Sequence, residues 1–159
     1  MDFKKLFNKD DLIKHLNILK KNDLIIGFTN GCFDLLHKGH LSLLSKSKSK
    51  CDYLIVGLNS DISVAMLKGE NRPIENELIR LNKLSNIKDV DALVVFADET
   101  PFKIINELLP NILFKGADYK NKKVIGSECV IKNGGKIEFI DILDGFSTTN
   151  IIKNSSNKS

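Results

Sequence analysis

Three short stretches, Leu24–Thr29, Tyr53–Leu58 and Ala92–Phe96, are apolar almost without interruption. A strand with one wet face alternates polar and apolar residues, whereas a strand covered on both faces of a parallel sheet does not. Ile112–Lys115 and Ile137–Ile142 bring the strand candidates to five. Helical spacing recurs between them. Leu12, Ile13, Leu16 and Leu19 share a face of Asp10–Lys21, while Leu41, Leu43 and Leu44 mark His40–Lys50. Leu78, Ile79, Leu81 and Leu84 mark Asn76–Asn86. Thr100–Leu108 opens with Thr100 as a cap and Pro101 at the first helical position, and Pro110 follows it. Such alternation gives right-handed βαβ units and an α/β sandwich. Ligands of these sheets bind beyond the carboxyl ends of the strands, near the switch point.

The 159 residues suit one domain. Its expected extent is 1–153, with an N-terminal helix in 1–22 packed on it and a polar, frayed tail at 154–159. The net charge of +4 comes from scattered lysines, the densest group being Lys120-Asn121-Lys122-Lys123. With no Trp either, a nucleic-acid partner is not expected. Cys32, Cys51 and Cys129 are odd in number and lack metal-site spacing, which suits a reducing cytoplasm. No apolar run approaches the roughly 20 residues needed to span a bilayer, and Met1-Asp2-Phe3-Lys4-Lys5 lacks a signal-peptide core. A cytoplasmic protein with no membrane association is the expectation.

The loop after the first strand holds the most specific chemistry. His37 and His40 stand three apart across a predicted helix start, on one face of its first turn. Gly31 and Gly39 permit close ligand approach and unusual backbone angles. Unpaired N–H groups and the positive end of the helix dipole point to the same place. Three readings compete: a zinc pair, two structural histidines, and a phosphate receptor. The zinc pair lacks a further ligand, since no HxxxH or Cys cluster lies nearby.

His37-Lys38-Gly39-His40, preceded by Thr29-Asn30-Gly31-Cys32-Phe33-Asp34, resembles the HxGH signature of the cytidylyltransferase-like nucleotidylyltransferases. Lys68-Gly69-Glu70-Asn71-Arg72-Pro73, Glu99-Thr100-Pro101, Lys115-Gly116-Ala117-Asp118-Tyr119 and Gly145-Phe146-Ser147-Thr148-Thr149-Asn150-Ile151-Ile152 follow in order. Together they resemble the adenylyltransferase domain of bifunctional ADP-heptose synthases. The resemblance implies a Rossmann-like three-layer α/β/α sandwich with a mainly parallel five-stranded sheet. It also implies a stand-alone enzyme that transfers AMP from ATP to D-glycero-β-D-manno-heptose 1-phosphate, for the lipopolysaccharide core. A separate heptose kinase would act upstream, and homodimers are common in the family. Ile142-Leu143-Asp144-Gly145 stands where glycerol-3-phosphate cytidylyltransferases have Arg-Thr-Glu-Gly, which points to ATP over CTP. The alternatives are a cytidylyl- or adenylyltransferase for another phosphorylated molecule, such as glycerol 3-phosphate or FMN, and a non-catalytic nucleotide-binding module.

By the same resemblance His37, His40 and Lys68 are the catalytic candidates. Thr29, Asn30, Gly31, Cys32, Phe33, Gly39, Lys115, Gly116, Ser147, Thr148 and Thr149 are expected to bind nucleotide. Asp34, Arg72, Asp118 and Tyr119 are expected to bind the sugar phosphate. Lys68 and Arg72 are read as lying on a Gly-containing loop, Arg80 as a surface ion-pair partner, and Glu99-Thr100-Pro101 as mainly a helix cap. An imidazole beside phosphate is expected to be partly cationic near neutral pH. Mg2+ is expected on phosphate oxygens and water, with no protein ligand named.

Overall fold

The computed structural model describes residues 4–141. Five parallel strands form one sheet in the order β3-β2-β1-β4-β5. They are β1 (Ile26–Gly31), β2 (Tyr53–Asn59), β3 (Ala92–Phe96), β4 (Ile112–Gly116) and β5 (Lys136–Ile140). The helices are α1 (Lys9–Lys21), α2 (Lys38–Lys48), α3 (Asp61–Lys68), α4 (Glu77–Ser85), α5 (Phe102–Leu108) and α6 (Ser127–Lys132). The five expected strands and four expected helices are present, with shifted ends, and every strand pairing in the sheet is parallel.

The continuous apolar runs are buried on both faces. On one side Phe28, Ile55 and Val94 meet Leu12 and Leu16 of α1, Ile105 and Leu108 of α5, and Val130 of α6. On the other side Leu54, Val56 and Phe114 meet Leu44 of α2 and Leu81 and Leu84 of α4. That makes three layers. Each fully covered aliphatic side chain contributes roughly 1.5–3 kcal/mol relative to exposure. A Cβ on Gly27, in central β1, would lie 2.5 Å from the Phe114 ring, so only hydrogen fits there. The β3 edge is partly covered: Leu93 donates to Lys5 O and Phe7 donates to Leu93 O, a one-residue parallel bridge at Leu6.

Two helices escaped the pattern reading. Helix α3 is only eight residues long, and Ile62, Val64, Ala65, Met66 and Leu67 give it a nearly continuous apolar run with little periodicity. Ser60 caps it by accepting from the Ser63 N–H. Lys68 therefore ends a helix, and the Gly69 turn follows it. Helix α6 has six residues, too few for a periodicity. Pro101, expected as the first helical residue, is the N-cap of α5, so the helix begins one residue later than expected, and Thr100 Oγ1 accepts a long 3.4 Å bond from Phe102 N–H.

The switch point lies between β1 and β4, where the order reverses from sequential strands to a crossover. The loop from β1 to α2 leaves the sheet there.

Candidate active site

Helix α2 begins with an unusual reciprocal cap. His37 is the N-cap, and its Nδ1 accepts from Gly39 N–H at 3.1 Å. His40 Nδ1 accepts from the backbone N–H of His37 at 3.2 Å. Two imidazoles thus do what Ser and Glu do in an ordinary capping box. Their rings stack, 3.8 Å between centroids and 21° apart, and Phe33 packs at a tilt on His40 with centroids 5.3 Å apart.

This cap fixes the tautomer. A nitrogen that accepts a backbone N–H carries a lone pair, so the proton of each neutral ring resides on Nε2. Both histidines therefore carry an Nε2–H donor. Burial shifts both rings toward the neutral form. Burial lowers the His40 pKa to about 4, with His37 and Lys68 adding to the effect against Asp34. Burial lowers His37 as well. Both shifts favour the neutral imidazole near pH 7.

A pH dependence of stability follows. His40 has a folded pKa of about 4 against 6.5 unfolded, so its contribution is complete above about pH 6.5. It is lost as pH falls toward 4, where the unfolded chain takes up the proton first. The expected loss is about 3 kcal/mol. Urea unfolding at pH 7, 5.5 and 4 measures it, and a His40→Asn variant should lose less over this interval. Equal losses in both proteins would remove His40 as the cause.

The loop before the cap is held in a strained path. Phe33 has φ 48° and Leu35 has φ 56°, left-handed values that disfavour side chains. The sequence suggested that Gly31 and Gly39 would take such angles, and they do not. The strain is held by tertiary contacts. Phe33 is 4% exposed, and Leu35 N–H donates to Glu75 Oε1 at 3.2 Å. Asp34 is fully buried and accepts from Ile74 N–H at 2.8 Å, Glu75 N–H at 2.9 Å and Arg72 Nε at 3.1 Å. Burial raises its carboxyl, but those backbone bonds and Arg72 outweigh it and hold the pKa below the usual carboxylate value.

Asp34 and Arg72, expected to hold sugar phosphate, therefore hold each other. A fully buried carboxylate cannot face a sugar, and its role is to latch the histidine loop to the segment before α4. Arg72 keeps one nitrogen, Nη2, buried and without a partner among the described residues. Arg80 also departs from expectation. Its side chain is 0% exposed. Nη1 donates to Cys32 O at 2.8 Å and Asn59 O at 2.7 Å, Nε to Glu75 O at 3.0 Å, and Nη2 to Asp61 Oδ1 at 2.7 Å. One guanidinium joins the ends of β1 and β2 to α3 and α4. Nothing in the sequence distinguishes such an Arg from a surface one, because its acceptors are mostly backbone carbonyls.

The remaining candidates separate into two groups. Thr29 is 1% exposed within β1, Gly39 is buried at the start of α2, and Cys32, half-buried, directly follows β1. Burial raises the Cys32 thiol, partly offset by Lys68, Arg80 and Arg72. Lys68 thus lies near enough to act electrostatically on both Cys32 and His40. Asn30, Lys115 and Tyr119 instead line a cleft of about 240 Å3 with Asn59, Leu67, Glu99, Thr100, Pro101, Lys123, Val124 and Ile125. The Glu99-Thr100-Pro101 segment, read as a cap, is a cleft wall. Gly116 is buried at the start of a short 3-10 turn, and Asp118 is exposed within that turn. Ser147, Thr148 and Thr149 lie outside the described residues. Among the described residues no three of His, Cys, Asp and Glu converge as a metal cage.

This geometry can be set against known proteins. Residues 28–154 match the cytidylyltransferase-like family. The chain belongs to that family. Among curated cytidylyltransferase-like relatives, the bifunctional protein HldE of Nitrobacter winogradskyi is 50% identical over 143 residues, 90% of this chain. That of Rhodospirillum rubrum is 47% identical over 148 residues, 93% of this chain. This chain spans 29% and 30% of their lengths. The lipopolysaccharide core biosynthesis protein of Thermoplasma volcanium superposes with a TM-score of 0.60 at 30% identity, over 76% of this chain and 97% of that one. Pantoate-beta-alanine ligase of Francisella tularensis, at TM-score 0.62 and 20% identity over 97% of this chain and 78% of that one, shares the fold. No helix among the described residues is long and apolar enough to cross a membrane.

Proposed function

We propose that this chain is a nucleotidylyltransferase that joins AMP from ATP to D-glycero-β-D-manno-heptose 1-phosphate and releases pyrophosphate. The observation that carries the reading is the imidazole pair locked by Nδ1 onto the start of α2, with both protons on Nε2. Kinship with the bifunctional HldE proteins and with a lipopolysaccharide core biosynthesis protein supports the choice of substrate.

An oxygen of the sugar phosphate attacks the α-phosphorus of ATP. The new O–P bond forms as the α–β bridging O–P bond breaks, and pyrophosphate leaves with the electron pair. A phosphate monoester is already anionic at pH 7, so the step needs no strong base. Catalysis rests on positioning and on donors aimed at oxygens that gain charge. With Nδ1 committed to the backbone, each imidazole keeps its Nε2–H as the donor in either charge state. Lys68 supplies positive charge from the end of α3, and the backbone N–H groups at the start of α2 supply more. Ser147, Thr148 and Thr149 are assigned to the polyphosphate by the family resemblance. Mg2+ would neutralise the polyphosphate from water and phosphate oxygens. Asp34, the carboxylate of the histidine loop, is already engaged by Arg72 and two backbone donors.

The reaction is placed in the cytoplasm, downstream of a kinase that makes the sugar 1-phosphate, and a homodimer is the assembly proposed from the family. A pyrophosphate-release screen tests the activity, pairing ATP or CTP with heptose 1-phosphate, glycerol 3-phosphate or FMN. Release is expected only with ATP and the heptose phosphate. CTP-dependent release rejects the nucleotide assignment, and ATP binding without turnover on any acceptor rejects the enzyme.

A further inference from the structure

Glu75 lies in the turn before α4, 40 residues from Leu35 in sequence, and every polar atom it has is engaged. Its N–H donates to Asp34 Oδ1 at 2.9 Å, and its carbonyl accepts from Arg80 Nε at 3.0 Å. In the carboxylate, Oε1 accepts the Leu35 N–H at 3.2 Å and Oε2 accepts from Lys83 of α4. Asp34 and Leu35 belong to the histidine loop, and Arg80 also donates to Cys32 O at its start. Glu75 thus holds the loop directly at two residues and, through Arg80, at a third. Its side chain is only 15% exposed.

The bond to Leu35 matters most, because of the backbone it restrains. Leu35 has φ 56° and Phe33 has φ 48°, with the buried Asp34 between them. Side chains disfavour such angles, which persist only where the surroundings over-determine them. Burial holds Phe33, and Arg72 with two backbone N–H groups holds Asp34. Leu35 is only half-buried, and its N–H is held by the Glu75 carboxylate. His37 follows two residues later, in extended geometry, as the N-cap of α2. Each imidazole accepts a backbone N–H of that cap, so a release at Leu35 reaches both rings.

We propose that Glu75 is a positioning residue for nucleotidyl transfer: its carboxylate holds the left-handed turn at Leu35 so that the two Nε2–H donors keep their aim. The proposal rests on the nucleotidyl-transfer reading and deepens it, since Glu75 acts through the loop and not on a reacting atom. Lys83 orients the carboxylate, because taking Oε2 leaves Oε1 facing Leu35. A backbone N–H needs an acceptor within reach, and an amide oxygen serves as well as a carboxylate oxygen. Small displacements are consequential here, since about 1 Å of misplacement can cost about a hundredfold in rate.

Three substitutions in the full chain separate reach from charge. Glu75→Gln keeps an oxygen at the Oε1 position and removes the charge, and Lys83, 45% exposed, can turn to water. Glu75→Asp keeps the charge but withdraws it from Leu35 by one methylene. Glu75→Ala removes both. Hydrogen exchange at the His37 and Gly39 amides reads the imidazole cap, with the amide of Leu44, within α2, as internal reference. Pyrophosphate release gives kcat and the KM for ATP. Exchange at His37 and Gly39 is expected to be about tenfold faster in Glu75→Ala and Glu75→Asp, with Leu44 within about twofold of the parent. Their kcat is expected to fall about tenfold or more, with KM for ATP within about threefold. Glu75→Gln is expected to recover most of both. Unchanged cap exchange or unchanged kcat in a folded Glu75→Ala protein overturns the proposal. So does a Glu75→Gln protein as impaired as Glu75→Asp, or a loss of protection that Leu44 shares equally. If Glu75→Ala does not fold, the Gln and Asp variants decide. A parent that turns over no sugar phosphate fails the activity reading, whereas the exchange rates still decide whether Glu75 holds the cap.

Discussion

Replacing His40 with alanine is expected to cut nucleotidyl transfer by about a hundredfold or more, the usual effect of losing one donor to a charge-gaining oxygen. The reason is the shared cap. His40 Nδ1 is committed to the His37 N–H, so the proton sits on Nε2 and is a ready donor. The ring also stacks on His37 at 3.8 Å and packs on Phe33, so its removal loosens the partner histidine as well. Losing the cap bond should reduce stability by only about 1 kcal/mol, which leaves a folded protein for the assay. Single-turnover transfer with saturating ATP, run beside a thermal melt, separates the two effects. Turnover near the parent level in a folded His40→Ala protein would sink the phosphate-donor assignment.

The second large effect belongs to a residue that holds the histidine loop from inside the fold, through Cys32 O. Arg80→Ala should remove about 3–5 kcal/mol, as breaking a buried charged network does. That is a large share of the roughly 5–15 kcal/mol that holds a typical domain together. The change strands the carbonyls of Cys32, Asn59 and Glu75, leaves Asp61 unpaired and opens a cavity where the largest fully buried side chain stood. A fall in Tm of about 10 °C or more is expected, and Arg80→Lys should recover part of it by retaining one charged donor. A melt within about 2 °C of the parent would show that these bonds carry little net stability.

Arg80 and Asp34 mark where sequence reading stops. The strands were legible because a strand covered on both faces must be apolar throughout, and Phe28, Ile55, Val56 and Val94 meet that demand locally. The HxGH loop was legible because His37 and His40 are rare residues at a spacing that one helical turn converts into adjacency. Helix α3 was less legible, because eight residues with a nearly continuous apolar run satisfy no period. The partners of a charged side chain were not legible at all. Arg80 reaches backbone oxygens 48 and 21 residues away, and Asp34 reaches N–H groups 40 and 41 residues away. Any residue can supply such backbone groups, so they leave no mark on composition or spacing.

The order of apolar runs was thus enough to set the layered α/β architecture and the edge of the sheet that carries the candidate site, and the resemblance of the histidine loop to the HxGH family gave the class of chemistry. Packing then settled the rest. It turned Asp34 and Arg72 inward, shifted both imidazoles toward the neutral form by burying them against a helix start, and brought Glu99 to the same cleft as Lys115. Local sequence specifies what a chain can hydrogen-bond, whereas burial and long-range contact specify which of those bonds remain for a ligand.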